Sequence, residues 1–385
     1  MRVLKLIIRN SLRHSLRTSL TVLGVAIAVM AFCVIRSTID AWYLGAEAAS
    51  PDRLWVRNRI SLTFELPVSY CDKIAKLPGV KDVSSASWFG GVYIDESNFF
   101  AKFAVDHHNY FKMYPEYVID SAQWENFVEE RRGAIVGRRL ADRFGWKIGD
   151  KITIQGDIYP GTWEFIISGI YTGAKENTDE STFFFRYDYL DDRMRADWPG
   201  RAGHIGSAIV QIEDPSQSAK ICSEIDSLFA NSLAETKTET EEAFVLGFIS
   251  MSEAIIIGLR VVSFMVIGII LLVMANTLAM AARERTNEYA LLKTLGFRSV
   301  HLMGLVYGES LTIAGLGGVL GLLLAAAFIP MLEQGMSDFM PKVPFTALTI
   351  ALGLVSAIVV GLLAAIFPTA HAIRTSIVDG LRPID

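Results

Sequence analysis

The sequence predicts an α-helical membrane protein with four transmembrane helices and an α+β, two-lobed extracytoplasmic domain inserted between the first and second of them. Three observations carry that prediction. Of 385 residues, 51% are hydrophobic and only 20% charged, with a mean hydropathy of +0.35, whereas a soluble domain carries about a quarter charged residues. The apolar excess is gathered into four runs, 21–35, 261–282, 302–332 and 347–367, each reaching or approaching the roughly 20 helical residues that cross a bilayer core. Charge divides along the same line. Residues 37–253 hold 22 Lys+Arg against 34 Asp+Glu, a balance of −12, and the other 168 residues hold 14 against 7, a balance of +7.

The elements follow in order. Residues 1–17 set Arg2, Lys5, Arg9, Arg13 and Arg17 beside Leu4, Ile8, Leu12, Leu16 and Leu20. On a helix these form a cationic stripe next to an apolar one, which suits a cytoplasmic amphipathic helix lying on anionic membrane lipids and leading into the first span, 18–37. The aliphatic stripe argues against nucleic acid as the partner of this arm. Ala46-Glu47-Ala48 has the small-x-small form of a cleavage site but lies about ten residues past the apolar run, too far for a signal peptide, so an uncleaved anchor is expected. The large domain occupies 38–253, and 254–282, 301–332 and 347–367 are the remaining spans. They are joined by a loop at 283–300 and an outer loop at 333–346, and a tail runs from 368 to 385. With the N-terminus inside, eleven of the fourteen Lys and Arg outside the domain fall on the inner side. That bias puts both termini in the cytoplasm, the chain in the cell inner membrane and the domain in the periplasm or outside the cell.

Within the domain, helical spacing at 66–77 stops at Pro78-Gly79 and a strand follows at 80–87. Near the other end 207–212 reads as a strand and 219–229 as an amphipathic helix. The segment between them, about 97–201, alternates apolar and polar residues at 151–154 and 163–170 and is expected as an inserted β-rich lobe. Phe99-Phe100 and Phe183-Phe184-Phe185 fit buried strands better than a hydrophobic cargo surface. His107-His108 is a metal-site motif only with a third ligand at the right spacing; lacking one, it reads as a polar pair. Cys71 and Cys222 are either a disulfide, if the compartment is oxidising, or two half-buried thiols.

Chemistry is sparse. No Gly-x-x-x-x-Gly-Lys-Ser/Thr loop, Gly-x-Ser-x-Gly elbow or His-Glu-x-x-His pair occurs in the chain, and no catalytic residue, metal ligand or cofactor site is expected in it. Gly315, Gly317, Gly318 and Gly321 serve close helix packing, as do the pairs Gly304 with Gly308 and Ala357 with Gly361. Two features exceed packing. Glu309 lies inside the third span, where a carboxylate must be paired or wet; Arg283 and Arg285 are the cations within reach. The loop RERTNEYALLKTLGFRS, 283–299, suits a short helix capped by Thr286 and closed by Gly296. Such a helix would expose Tyr289, Leu292 and Leu295 beside Glu284, Glu288 and Lys293.

The order of one span, a large domain and three spans resembles the ABC transporter permeases of the MacB, LolC/LolE and FtsX type. Arg283 with Glu288-Tyr289-Ala290-Leu291-Leu292-Lys293-Thr294-Leu295-Gly296 looks like that family's coupling segment. Glu309 and the glycine run look like its third span, and Pro368, Ala372, Arg374, Val378, Leu381 and Arg382 like its closing pattern, with Ile377 where a proline is usual. Ala134-Ile135-Val136-Gly137 and Ile148-Gly149-Asp150-Lys151-Ile152 resemble the MacB periplasmic core. The resemblance implies a mechanotransmission permease driven by a separate ABC ATPase subunit, which would bind the ATP and Mg and dock on Arg283, Glu284, Glu288, Tyr289, Leu292, Lys293 and Gly296. It further implies a homodimer or a related second permease, a periplasmic adaptor (membrane-fusion protein) with an outer-membrane channel, and a lipid, lipoprotein, peptide or hydrophobic compound as cargo. The alternative within it is an FtsX-like regulator that activates a cell-wall hydrolase.

Overall fold

A computed structural model describes residues 15–175, 178–335 and 342–374. Most of the amphipathic arm at 1–17, part of the outer loop and most of the tail, including Ile377, Val378, Leu381 and Arg382, lie outside the described residues. The chain forms two compact units, one holding the apolar helices and the other spanning Tyr43–Met251.

In the helical unit the four spans are Ser15–Ala48, Glu253–Glu284, Ser299–Gly335 and a pair, Ala347–Ala364 with Ile366–Arg374. The first and third exceed the apolar runs within them: 34 residues at about 1.5 Å each reach about 50 Å, well beyond a bilayer core of about 30 Å. The break at Ala365 follows from Pro368, which cannot donate to the carbonyl four residues back and crowds it. Small residues set the packing distances. A Cβ on Gly317 would stand 2.6 Å from Val25 Cβ, and one on Gly321 would stand 2.5 Å from the Ala26 carbonyl oxygen. Gly353 and Gly361 meet Cys33 and Ala314 as closely, and Gly318 meets Ala357. Gly304 and Gly315, grouped with them on sequence spacing, have open space where a side chain would go; the small-residue pattern does not distinguish an interface glycine from a lipid-facing one.

The large domain is built on a ten-stranded sheet ordered β12-β1-β11-β3-β4-β9-β6-β8-β5, with β7 paired to β8. Its strands are β1 Arg53–Asn58, β2 Leu66–Pro67, β3 Val80–Trp88, β4 Lys102–Val105, β5 Tyr117–Val118, β6 Gly133–Gly137, β7 Lys151–Gly156, β8 Gly161–Gly173, β9 Phe183–Arg186, β10 His204–Ile205, β11 Ser207–Ile212 and β12 Thr236–Thr240. β2 and β10 form a separate two-stranded ribbon. The strands of 97–201 join β3 edge-on through β4 and continue the same sheet by the parallel pairs β4–β9 and β6–β8. The two lobes are therefore two halves of one sheet, each with its own core on one face and a third core shared between them on the other. Strand period explains the aromatic runs: Phe183 and Phe185 enter the core over β6–β8, and Phe184 enters the core on the opposite face with Tyr110, Phe127 and Tyr171. β11 alternates in the same way, Ala208, Val210 and Ile212 against Ile209. The core reading of these phenylalanines holds, while Phe99 is exposed. Cys71 and Cys222 are two separate half-buried thiols beside one core; burial pushes Cys71 up to about 12 and Cys222 up to about 11.

Candidate functional site

The second span ends at Glu284, and after one residue outside helical geometry the chain re-forms a helix over Thr286–Thr294. Thr286 does not cap it as the sequence suggested. Its hydroxyl donates back to the Arg283 carbonyl at 2.7 Å, which leaves no side-chain cap at this end. The other end closes as expected. Gly296 adopts φ +87°, its N–H donates to the Lys293 carbonyl at 3.1 Å, and the Phe297 N–H donates to the Leu292 carbonyl at 3.1 Å. That paired pattern satisfies the last carbonyls and needs a left-handed residue, which glycine supplies without a Cβ penalty.

Three contacts fix this short helix to the bundle. Arg285, 5% exposed, donates to Glu309 Oε2 at 2.7 Å. Of the two cations within sequence reach of Glu309, the buried one makes the pair. A cavity of about 10 Å³, room for about one water, adjoins them and is lined by Thr18, Thr21 and Thr277. Lys293 Nζ donates to the Ile373 carbonyl at 2.8 Å, among the last carbonyls of the fourth span's second segment, where a cation is favoured. Tyr289 is buried among Ala282, Leu302, Val306, Ala365 and Ala372, with Leu292 packed against the cluster. Burial pushes the Tyr289 phenol up to about 12.

This corrects the exposed face read from sequence. Tyr289 and Leu292 turn toward the bundle because that flank is the one facing Ala282 and Leu302. The apolar residues left outward are Leu291, 55% exposed, Leu295, 69%, and Phe297, 43%, with Arg283 and Glu284 exposed and Glu288 half-exposed nearby. Glu284 also accepts from Arg17 Nη1 at 2.7 Å, tying the start of the first span to the end of the second. Arg285, absent from the sequence-derived site, is its most buried charge. Its only signal was a carboxylate in the third span in need of a partner.

A second ionic cluster, in the large domain, went unread in the sequence. Glu241 opens the helix Glu241–Ser250, which Thr240 caps by accepting the Ala243 N–H at 3.2 Å. Its carboxylate accepts from Arg53 Nε at 2.7 Å, from the Tyr114 hydroxyl at 2.9 Å and from the Ser50 N–H at 2.9 Å. Arg53, 4% exposed, also donates to Glu116 at 2.7 Å and lies over the Tyr114 ring at 4.1 Å. Burial opposes its charge, yet Glu241, Tyr114 and Glu116 more than offset that and raise its pKa. Trp55 stacks on Phe244 at 4.4 Å beside this cluster. The cluster thus joins the chain just after the first span to the chain just before the second. No sequence pattern announces a pair 188 residues apart.

Comparison with known proteins bears on both regions. Residues 18–228 match the MacB-like periplasmic core domain, and residues 260–377 match the FtsX-like permease C-terminal domain. An uncharacterized ABC transporter permease protein of Mycobacterium tuberculosis is 24% identical over 279 residues, 68% of this chain, and the chain spans only 30% of that protein's length. An uncharacterized ABC transporter permease of Methanocaldococcus jannaschii is 22% identical over 408 residues, covering 97% of this chain and 96% of that one. Among solved structures, the periplasmic region of MacB from Actinobacillus actinomycetemcomitans aligns with a TM-score of 0.38 at 11% identity, over 52% of this chain and 94% of that one.

Proposed function

We propose a function from one premise: the chain belongs to the family of MacB- and FtsX-like ABC transporter permeases. In this reading it is a non-catalytic membrane subunit that passes the work of ATP hydrolysis, done by an ABC ATPase subunit, to the large domain. That domain would then drive export or extraction of a lipid, lipoprotein, peptide or hydrophobic compound. Both termini and the helix Thr286–Thr294 lie on the cytoplasmic side, and the large domain lies across the membrane. Two permease chains, identical or related, pair over two ATPases, and an adaptor with an outer-membrane channel receives what the domain moves.

The observation that carries this reading is the short helix itself. It is held to the second, third and fourth spans by Tyr289, Arg285–Glu309 and Lys293, yet presents Leu291, Leu295 and Phe297 outward. A rigid strut with an apolar outer edge suits insertion into a groove on a partner, as amphipathic helices do, and its anchors convert a push on that edge into motion of the spans. Glu288 and Arg283 flank the edge and set its polarity. Leu291→Asp with Leu295→Asp, reconstituted with the cognate ATPase subunit, is expected to abolish stimulation of ATP hydrolysis while the purified permease keeps its helicity and melting profile. Undiminished stimulation would overturn the reading. Tyr289→Ala is expected to act differently, loosening the helix and lowering permease stability as well.

A further inference from the structure

We propose that Asp106, His107 and His108 form a binding site for a late first-row divalent transition-metal ion, open to an acidic cleft in the large domain. The three residues follow β4, where the chain leaves the sheet. In a strand their side chains would alternate between faces; here a turn gathers them, and their carboxylate and imidazole donor atoms all lie within 4.8 Å of one another. The turn is fixed by backbone bonds. The Asp106 N–H donates to the Ser85 carbonyl at 3.1 Å, and the Tyr110 N–H donates to the Asp106 carbonyl at 3.0 Å. The His108 N–H donates to Asp106 Oδ1 at 3.0 Å. The two imidazole rings stand 3.9 Å apart, centroid to centroid.

His107 is buried and His108 exposed, so the ion would sit at the surface of the domain with one ligand held rigidly from within and one able to rotate onto it. Bonds of about 2.0–2.2 Å need the donors somewhat closer than they stand, a closure that the exposed His108 ring supplies. Two imidazoles and one carboxylate favour zinc, copper, nickel or iron over magnesium or calcium, which prefer all-oxygen shells. Three protein ligands leave at least one coordination position open, as in sites that take up a further ligand.

The surroundings point the same way. The site opens on a cleft of about 440 Å³ between the helices Ser69–Ile74 and Tyr187–Asp197, both packed on β3. Asp72, Asp82 and Asp188 line it against Lys81, and Arg186, whose charge acts on His107, is engaged by Asp188 at 3.0 Å.

The test uses the tag-free full chain in detergent, stripped with chelator and titrated with ZnCl2 by calorimetry and elemental analysis. One zinc per chain is expected, and MgCl2 at the same concentrations should give no heat. Replacing either histidine by Ala removes a direct ligand and should weaken zinc binding by more than the roughly 100-fold that losing an outer-shell partner costs, and Asp106→Asn should weaken it by at least about tenfold. CoCl2 should give visible d–d absorption that His108→Ala abolishes. Because His108 is exposed, that variant keeps its fold, which an unchanged melting profile verifies. Zinc uptake by His108→Ala and by His107→Ala equal to that of the parent, or no uptake by the parent at 100-fold molar excess, would overturn the proposal.

Discussion

Two buried guanidinium–carboxylate clusters among the described residues, one on Arg53 and one on Arg285, are built for different solvents. Arg53 in the domain is surrounded: two carboxylates, an aromatic face, a backbone carbonyl and a bonded tyrosine all converge on it or on its partner. Arg285 in the bundle pairs with one carboxylate, Glu309, and bonds with Tyr289 beside a cavity the size of one water. The contrast follows from the unfolded reference state. Unfolding the domain returns Arg53 and Glu241 to water, so the folded state must replace a full hydration shell. Unfolding a helix bundle within lipid leaves its polar groups still seeking partners, so each partner in the folded state adds less. Both clusters join segments distant in sequence, β1 to the helix before the second span in one case, the start of the short helix to the third span in the other.

Removing the cation from each cluster breaks this comparison most directly. Arg53→Met leaves buried Glu241 and half-buried Glu116 without their counter-ion, and losing one partner of a buried network costs about 3–5 kcal/mol. Urea unfolding followed by tryptophan fluorescence reads this selectively, because every tryptophan but Trp42 lies in the domain. A cost below about 1 kcal/mol, the range of exposed pairs, would mean that the cluster is solvated and the contrast empty.

The bundle pair should give less. Glu309→Gln keeps an acceptor for Arg285 and leaves water access through the adjoining cavity, so the loss is expected at about 1 kcal/mol, in keeping with polar pairs between membrane helices. Detergent-induced unfolding of the chain in mixed micelles measures it. A double change, Arg285→Met with Glu309→Leu, should recover most of the loss. A Glu309→Gln cost equal to that of Arg53→Met would show that the reference state does not separate the two clusters.

How much of this was legible follows the same division. The spans, the glycine-closed turn at Gly296, the β11 strand and the core-facing phenylalanines are local patterns, and period and punctuation reveal them. The pairing of β4 with β9, the Arg53–Glu241 contact and the inward turn of Tyr289 are not local. Tyr289 sits on a nine-residue helix with apolar residues on more than one side, and only the position of Ala282 and Leu302 decides which side is covered. The exposed face read from sequence therefore keeps Leu295 and Glu284 but loses Tyr289 and Leu292 to the bundle, with Leu291 outward instead. Asp106, His107 and His108 illustrate the same limit: only the turn after β4 brings the donor atoms of three consecutive residues within 4.8 Å of one another.

The smallest effect tests the comparison at its exposed limit. Glu239 on β12 accepts from Arg57 of β1 at 2.9 Å and pairs with Lys237 at 2.8 Å. Burial pushes its carboxyl up, but Lys237 and Arg57 outweigh that and hold it below the ordinary carboxylate value. A lowered folded pKa makes the stabilisation complete above the unfolded value and removes it as pH falls through the folded one. Solvent reaches this pair, so the gain is under about 1 kcal/mol. Domain stability should fall slightly more steeply below the ordinary carboxylate range in the parent than in Glu239→Gln, and the two should differ least at low pH. A parent and variant whose stabilities run parallel from neutral pH down through that range would show that the β1–β12 edge draws nothing from this charge, leaving the Arg53 cluster as the ionic tie on that strand.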